Sequence, residues 1–419
     1  MQRRSTLKAL AVLIVAAAMA LSACSSSGDS GGSDNGGLSG DPIVIGVMCS
    51  CSGPFAASLG GIPDTATAWS EYVNNNGGIN GHPVKVVVGD DGGDGTKSQQ
   101  LVRKLVEQDK VVAIVDEVAS YDSSWADYVS GKGVPVLAGV SFTPPMATNA
   151  NFFPTGSNLA ILTYGIVQDV KKSGKTKLSV LECAEAPLCA GYTGQITRIS
   201  AATDSGVDVV YSSKISATQP NYTAQCLASK DAGAESMYVG HGGAIVSRVV
   251  DQCVQQGYTP LQVQSGGDVI SDWSKDENMN GVLITALHTP LHDTTAQGAK
   301  DFHDAIEKYS PDLLEASNYA SDDMSAWTGF QLFAAAAKAG EITPTSTAAD
   351  VKKGLFALEG ETLGGLTPPL NYTEGSPTAI DCYWSEGLED GTWTQPGGTD
   401  PICVDAALAK TVHDAFDAS

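Results

Sequence analysis

The chain of 419 residues has few positively charged side chains for its length. It contains 24 Lys and Arg against 47 Asp and Glu, which gives a formal net charge of −23. It also lacks a basic segment interleaved with aromatic residues, the pattern that is typical of nucleic-acid binding. We therefore expect no nucleic-acid partner, and the acidity is explained simply by the solubility that an exported protein needs.

The N-terminus lacks an apolar segment long enough to remain in a membrane. Residues 9–21 are all apolar, but this run is shorter than the roughly 20 residues of a spanning helix. It follows Arg3, Arg4 and Lys8, so residues 1–23 are predicted to be a secretory signal peptide. Its removal would bring the formal net charge to about −26.

The signal ends in the residues Leu-Ser-Ala-Cys at positions 21–24, which resemble the bacterial lipobox. In a lipobox the cysteine is acylated and becomes the new N-terminus, so the resemblance implies a lipid on Cys24. The alternative is an ordinary signal that is cleaved elsewhere. Residues 24–41 are nearly all Ser, Gly, Asp and Asn, a composition that predicts a flexible tether. We expect an extracytoplasmic protein that is anchored to the cell membrane.

Nine cysteines are present, and removal of the lipidated one leaves an even number. In an exported protein this favours disulfides over metal or redox chemistry. The spacing suggests three local bridges, which join Cys183 to Cys189, Cys226 to Cys253, and Cys382 to Cys403. Cys49 and Cys51 are left over. They either form a bridge across a sharp bend or each find a distant partner.

Strand-like and helix-like segments alternate along the rest of the chain. Residues 43–48 form a β-branched, apolar run that is typical of a strand buried on both faces. Ile62, Ala66, Trp69 and Val73 then recur at helical spacing. Repeated strand–helix–strand order implies right-handed crossovers and parallel sheets. The predicted fold class is therefore α/β, and the length favours two doubly wound lobes over one large sheet.

Several short fragments occur in an informative order. They are Ser-Gly-Pro at 52–54, Asn-Gly-Gly-Ile-Asn-Gly-His-Pro at 76–83, Asp-Asp at 90–91, Asn-Tyr-Thr at 221–223, Met-Tyr-Val-Gly at 237–240, and a helix over 319–333. Together they resemble type I periplasmic solute-binding proteins of the branched-chain amino acid (leucine/isoleucine/valine) kind, over roughly residues 41–372. The stretch beyond about 385 is not covered by the resemblance.

The resemblance implies two lobes joined by a hinge of three crossovers. By analogy, lobe 1 comprises residues 41–156 and 287–371, and lobe 2 comprises residues 157–286 and 372–419. The carboxyl ends of both sheets would face one cleft, which is where open α/β sheets bind ligands.

Two loops of lobe 1 match the loops that hold the ligand's carboxylate in the family. One contains Ser120 and Tyr121, and the other contains Ser141, Phe142 and Thr143. Hydroxyls, backbone donors and a helix N-terminus there would favour an anion. However, the usual Ser-Ser run is replaced in the first loop, and the usual Thr aligns closer to Phe142. Ligands other than an α-amino acid therefore remain open, and Ser120 could equally be a helix cap.

Further candidates come from lobe 2 and from the helix over 319–333. Asp268 matches the family position whose carboxylate receives the ligand's ammonium group, although an Asp in a Gly-rich turn is also a structural residue. His241 follows a strand and should point towards the cleft. Tyr192 lies near a cleft-facing family tyrosine. Asp322, with Asp323, falls near an apolar family position and indicates a more polar or cationic ligand, unless the pair forms a solvated helix face.

Signs of metal and cofactor chemistry are weak. The acidic segment 90–95 resembles a calcium loop, but its twelfth position is Leu101 rather than Glu. His288 and His292 are four residues apart, yet Pro290 between them argues against a helix that presents both to zinc. Phosphate loops and zinc-protease motifs are missing from the sequence. We expect no metal and no cofactor.

The sequence favours the ligand-capturing subunit of an ABC importer, not an enzyme. It would be a monomer that binds a small polar metabolite, an amino acid or a related compound, and delivers it to a membrane permease and ATPase. The alternative is a sensor that uses the same fold as the input of a signalling system. A secreted hydrolase ranks last, because residues 139–143 lack the final Gly of a nucleophile elbow.

Overall fold

Two β-sheets organise the chain, and each is covered by helices on both faces. The computed structural model describes residues 38, 40–117, 121–139, 142–185 and 191–418. The predicted signal peptide and the lipidation site at Cys24 lie outside these residues. None of the helices in the described part combines the length and the apolar character that a membrane span requires.

The secondary structure elements follow in chain order. The strands are β1 (Ile43–Cys49), β2 (Val84–Asp90), β3 (Ile114–Glu117), β4 (Val136–Ala138), β5 (Phe152–Pro154), β6 (Lys177–Cys183), β7 (Asp208–Ile215), β8 (Ser236–Gly240), β9 (Leu261–Ser265), β10 (Leu283–Ala286), β11 (Glu359–Glu361), β12 (Leu370–Asn371), β13 (Cys382–Glu389), β14 (Thr392–Thr394) and β15 (Ile402–Cys403). The α-helices are α1 (Ala56–Leu59), α2 (Ile62–Asn75), α3 (Gly95–Glu107), α4 (Ala126–Lys132), α5 (Pro144–Thr148), α6 (Leu159–Lys172), α7 (Tyr192–Ala202), α8 (Thr223–Asp231), α9 (Gly243–Gln255), α10 (Gln297–Tyr309), α11 (Ser321–Ala339), α12 (Ala348–Phe356) and α13 (Ala406–Asp417).

The first sheet is parallel throughout, with strand order β2-β1-β3-β4-β5. Side chains alternate across β1, so Ile43, Ile45 and Val47 join a core with α2, α10 and α11. Val44 and Met48 point to the other face, towards α3 and α4. Burial on both faces explains why β1 is a continuous apolar run. We call this sheet and its helices, including α10 to α12, the first lobe.

The second sheet has the order β14-β13-β10-β9-β8-β6-β7. Strands β6 to β10 are parallel, as predicted, whereas β13 pairs antiparallel with β10 and β14 pairs antiparallel with β13. Met237 and Val239 of β8 face α8 and α9, and Tyr238 faces the α6 and α7 side. The segment beyond residue 385 thus completes the edge of this sheet. We call this sheet and its helices the second lobe.

The chain passes between the two lobes three times, after β5, after β10 and after β12, which forms a separate two-stranded sheet with β11. The three connecting segments contact one another. The Ser157 backbone N–H donates to Leu287 O at 2.7 Å, and the Asn158 side-chain amide donates to Ile380 O at 3.1 Å. The predicted hinge of three crossovers is therefore present, while the residue-level lobe boundaries stay a prediction.

Disulfides close several of the loops. The structure contains the predicted bridges Cys226–Cys253 and Cys382–Cys403, and Cys49 pairs with Cys51 across the bend that follows β1. Of the two alternatives for Cys49 and Cys51, the local bridge is therefore correct. Cys183 is disulfide-bonded. Cys189 lies outside the described residues, so the pairing of these two stays a prediction.

The acidic segment at residues 90–95 organises backbone turns. Asp90 accepts a hydrogen bond from Ser52 Oγ at 2.6 Å, and Asp91 accepts one from Ser50 Oγ at 2.8 Å. Asp94 caps the N-terminus of α3 by accepting hydrogen bonds from two backbone N–H groups. These contacts explain the acids as a strand-to-helix turn.

Candidate functional site

A cavity of about 260 Å³ lies between the two lobes. Its walls come from the end of β3 and the loops that follow β1 and β4 in the first lobe, and from the loops that follow β6, β7, β8 and β9 in the second. Asp322, in the first turn of α11, completes the lining. These loops all follow the carboxyl ends of strands, which is where open α/β sheets place their ligands.

Six of the predicted ligand-binding residues line this cavity, namely Phe142, Thr143, Tyr192, His241, Asp268 and Asp322. Tyr121 is not among the lining residues. Its ring packs beside Gly95 at the start of α3. Ser120 and Ser141 lie outside the described residues. The sequence therefore identified residues from both walls, although their role in binding stays a prediction.

Thr143 has its hydroxyl engaged within the protein. It donates to the carboxylate of Asp122, a residue that is fully buried. Burial raises the pKa of Asp122 to about 6. Thr143 thus fixes the start of α5 against the short helical turn at 122–124, and it borders the cavity without a free donor.

His241 and Glu185 form a pair on the wall of the second lobe. The Gly242 backbone N–H donates to His241 Nδ1 at 2.8 Å. His241 Nε2 lies 3.4 Å from a Glu185 oxygen, although the two are not aligned for a hydrogen bond. Burial lowers the pKa of His241. Burial opposes ionisation of Glu185, but hydrogen bonds from Ser216 and Ala217 dominate and lower the pKa of that carboxyl.

The aromatic part of the lining includes residues that the sequence reasoning missed. Tyr238 packs edge-to-face on Tyr192, with ring centroids 5.3 Å apart. Phe55, from the turn before α1, also lines the cavity with Phe142. Tyr238 falls on the buried strand β8, and its sequence context indicated only a core residue.

Buried carboxyl groups gather at the floor of the cavity. Asp322 is only 7% exposed, and burial, with the charge of Asp323, raises its pKa to about 8. Burial, with the charge of Asp322, raises the pKa of Asp268 well above its ordinary value. Among the residues that the structure describes, the buried Oδ2 atom of Asp268 has no hydrogen-bond partner. Glu117 also lines the cavity, but the sequence analysis did not identify it. Its position at the carboxyl end of the buried strand β3 is the signal that could have found it.

Two other carboxyl groups near this floor are held by donors. The Ser325 hydroxyl lies 3.1 Å from both carboxylate oxygens of Glu117. Asp323 accepts hydrogen bonds from Thr65 Oγ1 at 2.9 Å and from the Ala320 backbone N–H at 3.0 Å. Asp323 is fully buried. The alternative of a solvated helix face for Asp322 and Asp323 is therefore wrong, because both lie in the interior.

The two histidines considered as zinc ligands serve other contacts. His288 is buried, and its Nδ1 atom lies 2.8 Å from Thr289 O. His292 stacks on Trp393 with ring centroids 4.1 Å apart. Across the part of the chain that the structure describes, there is no group of three or more His, Cys, Asp or Glu that could hold a metal ion.

The family model described as periplasmic binding protein matches residues 42–385. A branched-chain amino acid ABC transporter structure from Thermus thermophilus, with bound valine, has a TM-score of 0.76 at 14% identity. The match covers 90% of this chain and all of that one. A solute-binding protein of an ABC transporter from R. palustris, in complex with benzoate, has a TM-score of 0.69 at 15% identity and covers 88% of this chain and 99% of that one. None of the curated proteins matches the chain.

Proposed function

The chain belongs to the type I periplasmic binding protein family, and from this membership we propose that it is the lipid-anchored substrate-binding protein of an ABC importer. It would capture a small polar metabolite, an amino acid or a related compound, outside the cytoplasm. Structures of similar fold contain valine or benzoate, which supports a ligand of that size. The permease and ATPase of the importer would be its partners.

The observation that carries this proposal is a cavity with one wall on each lobe. A ligand that touches both walls binds the closed arrangement better than the open one, so binding shifts the population towards closure. The lobes already approach one another across the cavity mouth. A Cβ atom at Gly242 of the second lobe would lie 3.4 Å from Ser58 Oγ of the first lobe.

Ligand capture is tested by calorimetry of the purified protein against a library of amino acids, amides, amines and small carboxylates. We expect at least one ligand with saturable, one-to-one binding. A ligand that binds the folded state also raises the melting temperature in proportion to its occupancy. A library without any binder would contradict the proposal.

Closure is tested by a double variant, Ser58→Cys with Gly242→Cys, because the two positions are near the distance that a disulfide spans. The oxidised protein should neither admit nor release the ligand, and reduction should restore exchange. The single variants Ser58→Cys and Gly242→Cys are the controls and should exchange ligand normally. Unhindered exchange in the oxidised double variant would contradict closure by these walls.

The anchor and the importer role are tested in cells. Cys24→Ala should move the protein from the membrane fraction to the soluble extracytoplasmic fraction, whereas Cys226→Ala should not. Deletion of the gene should abolish high-affinity uptake of the ligand. Normal uptake with loss of a ligand-dependent transcriptional response would identify the protein as a sensor instead. Light scattering tests the expected monomer.

A further inference from the structure

We infer that the cleft selects an organic cation, an alkylammonium or aralkylammonium ion without a carboxylate, whose charge is held by Asp268 and Asp322. The inference rests on the proposed function and names its substrate class. Three observations support it: the sign of the charges that line the cavity, the missing partners of two carboxylates, and the apolar character of the remaining walls.

The cavity is lined by acids without basic counterparts. The described lining includes five carboxyl groups, those of Asp116, Glu117, Glu185, Asp268 and Asp322, and it contains no Lys or Arg. The neighbouring segments 118–120, 140–141 and 186–190 contain no Lys or Arg in the sequence either. His241 is the basic residue of the described lining, and its Nδ1 atom accepts a hydrogen bond. An anionic ligand would find no charged partner on these walls.

Two of the five carboxylates lack the donors that a buried carboxylate requires. Asp322 is 7% exposed, and within the described residues no hydrogen bond reaches its side chain. In the same part of the chain Asp268 Oδ2 is buried without a partner, although a backbone hydrogen bond at Ser265 supports this carboxyl group. Glu117 and Glu185 differ, because each is held by donors within the protein.

A buried carboxylate without donors is costly, and a cation offsets that cost by pairing with it. An ammonium group supplies up to three N–H donors and a full positive charge, so it can bond to both Asp268 and Asp322. These two acids line the same cavity, and the charge of Asp322 acts on Asp268. Asp322 belongs to the first lobe and Asp268 to the second, so a shared cation would hold the cleft closed.

The remaining walls suit an apolar body. Phe55, Phe142, Tyr192 and Tyr238 line the cavity together with Met146 and Ile245. Aromatic faces attract cations as well as apolar groups, which favours an amine close to a ring.

The experiment compares three probes that share one aromatic body: phenethylamine, phenylalanine and 3-phenylpropionate. Calorimetry at pH 8 should show that phenethylamine binds about tenfold or more tightly than phenylalanine, and that 3-phenylpropionate does not bind. The same ranking should hold for every binder found in the metabolite library. Tighter binding of phenylalanine or 3-phenylpropionate, or of any other carboxylate-bearing compound, would overturn the cation inference.

Two aspartate variants test which carboxylates bind the ammonium group. Asp322→Asn and Asp268→Asn should each weaken binding of the amine about tenfold or more, since each removes a charge-assisted bond. Asp169→Asn is the matched control, because Asp169 is a buried acid outside the cavity and accepts a hydrogen bond from Thr285 Oγ1. It should change the affinity less than about threefold. An equal loss in all three variants would overturn the assignment to Asp268 and Asp322.

The failure of this inference differs from the failure of the proposed function. Binding of a zwitterion or an anion would leave ligand capture intact and would exclude the cation. A complete absence of binders would overturn ligand capture, and the cation inference with it.

Discussion

Asp322 and Asp323 are neighbours in the sequence, yet they belong to two different regions of the molecule. Asp322 lies on the cavity floor, where none of the described residues donates a hydrogen bond to it. Asp323 lies in the packed base of α11, where it accepts hydrogen bonds from Thr65 and Ala320. Both are buried. Burial alone therefore does not show whether a carboxylate is structural or available to a ligand. The hydrogen-bond donors around the carboxylate distinguish the two roles.

A third buried acid extends the comparison to the core of the second lobe. Asp169 of α6 accepts a hydrogen bond from Thr285 Oγ1 at 2.8 Å, and burial raises its pKa to about 6. Like Asp323, it has a donor from a distant part of the chain. We therefore regard Asp169 and Asp323 as structural, and Asp268 and Asp322 as available to a ligand.

The largest expected effect is a loss of stability with rising pH. Burial raises the pKa of Asp323 to about 7 and, with the charge of Asp323, that of Asp322 to about 8. Between pH 4 and these values the folded state retains protons that the unfolded state has released. The stability that these two groups contribute is therefore complete below about pH 4, declines as the pH rises, and is lost once the pH has passed through 7 and 8. The free energy of unfolding should fall by about 3 kcal/mol or more between pH 6 and 9.

Urea denaturation at a series of pH values measures this loss. The other ionisable groups that act on Asp322 and Asp323 are Glu117 from β3, Asp268 from the turn after β9, and Asp64 from α2. They are all acids, so their negative charges also raise the pKa values of Asp322 and Asp323. Asp322→Asn should flatten the pH dependence. A wild-type stability that is constant or rising over this range would contradict the assignment of these acids.

A pair of alanine variants tests the two neighbours directly at pH 6. Asp323→Ala removes the acceptor of two buried donors and should destabilise the protein by about 2–3 kcal/mol. Asp322→Ala removes a carboxyl group that no donor holds, and it should change stability by less than about 1 kcal/mol. Chemical denaturation measures both. Equal losses would show that the two acids do not differ in role.

Asp169 offers a smaller test in the second lobe. Asp169→Ala should cost about 1–2 kcal/mol, because Thr285 Oγ1 loses its buried acceptor. Asp169→Asn keeps an oxygen acceptor at the same position and should cost less than about 1 kcal/mol. Neither variant should change ligand affinity in calorimetry. A large change in affinity would place Asp169 with the ligand-facing acids.

The smallest effect is expected from the donor side of the Asp323 contact. Thr65→Val keeps the shape of the side chain but removes the hydroxyl that Asp323 accepts from, so it should cost about 1 kcal/mol. Thr67→Val is the matched control on the same helix, since the Thr67 hydroxyl is exposed and bonds only to Pro63 O. Thermal denaturation compares the two. An equal cost would attribute the loss to helix propensity rather than to the hydrogen bond.

Much of the fold followed from the sequence because its signals are local. The apolar run at residues 43–48 predicted β1, and the spacing of Ile62, Ala66, Trp69 and Val73 predicted α2. Cysteine spacing gave two bridges that the structure contains. The antiparallel strands β13 to β15 were not anticipated, since the family resemblance ended before them and pairing partners are not encoded in a local pattern.

Only part of the candidate site could be predicted from the sequence. His241 was identified because loops after parallel strands converge on one cleft, whereas Asp268 and Tyr192 were identified from the family resemblance. Glu117, Glu185 and Tyr238 were missed, since each sits in or next to a strand whose sequence reads as core. Tyr121 was expected in the cleft but packs at the start of α3.

By itself the sequence determined the alternation of strands and helices, the two lobes and the general position of the cleft. The alternation follows from periodicity. The two lobes follow from the chain length and the family resemblance, and the cleft from that resemblance and the general position of ligands in open α/β sheets. Only the tertiary structure decided which buried acids are satisfied. Thr65 reaches Asp323 across 258 positions, and Ser325 reaches Glu117 across 208. A donor from so far along the chain cannot be inferred from the sequence around the acid. Only the folded structure therefore shows that none of the described residues donates to Asp322.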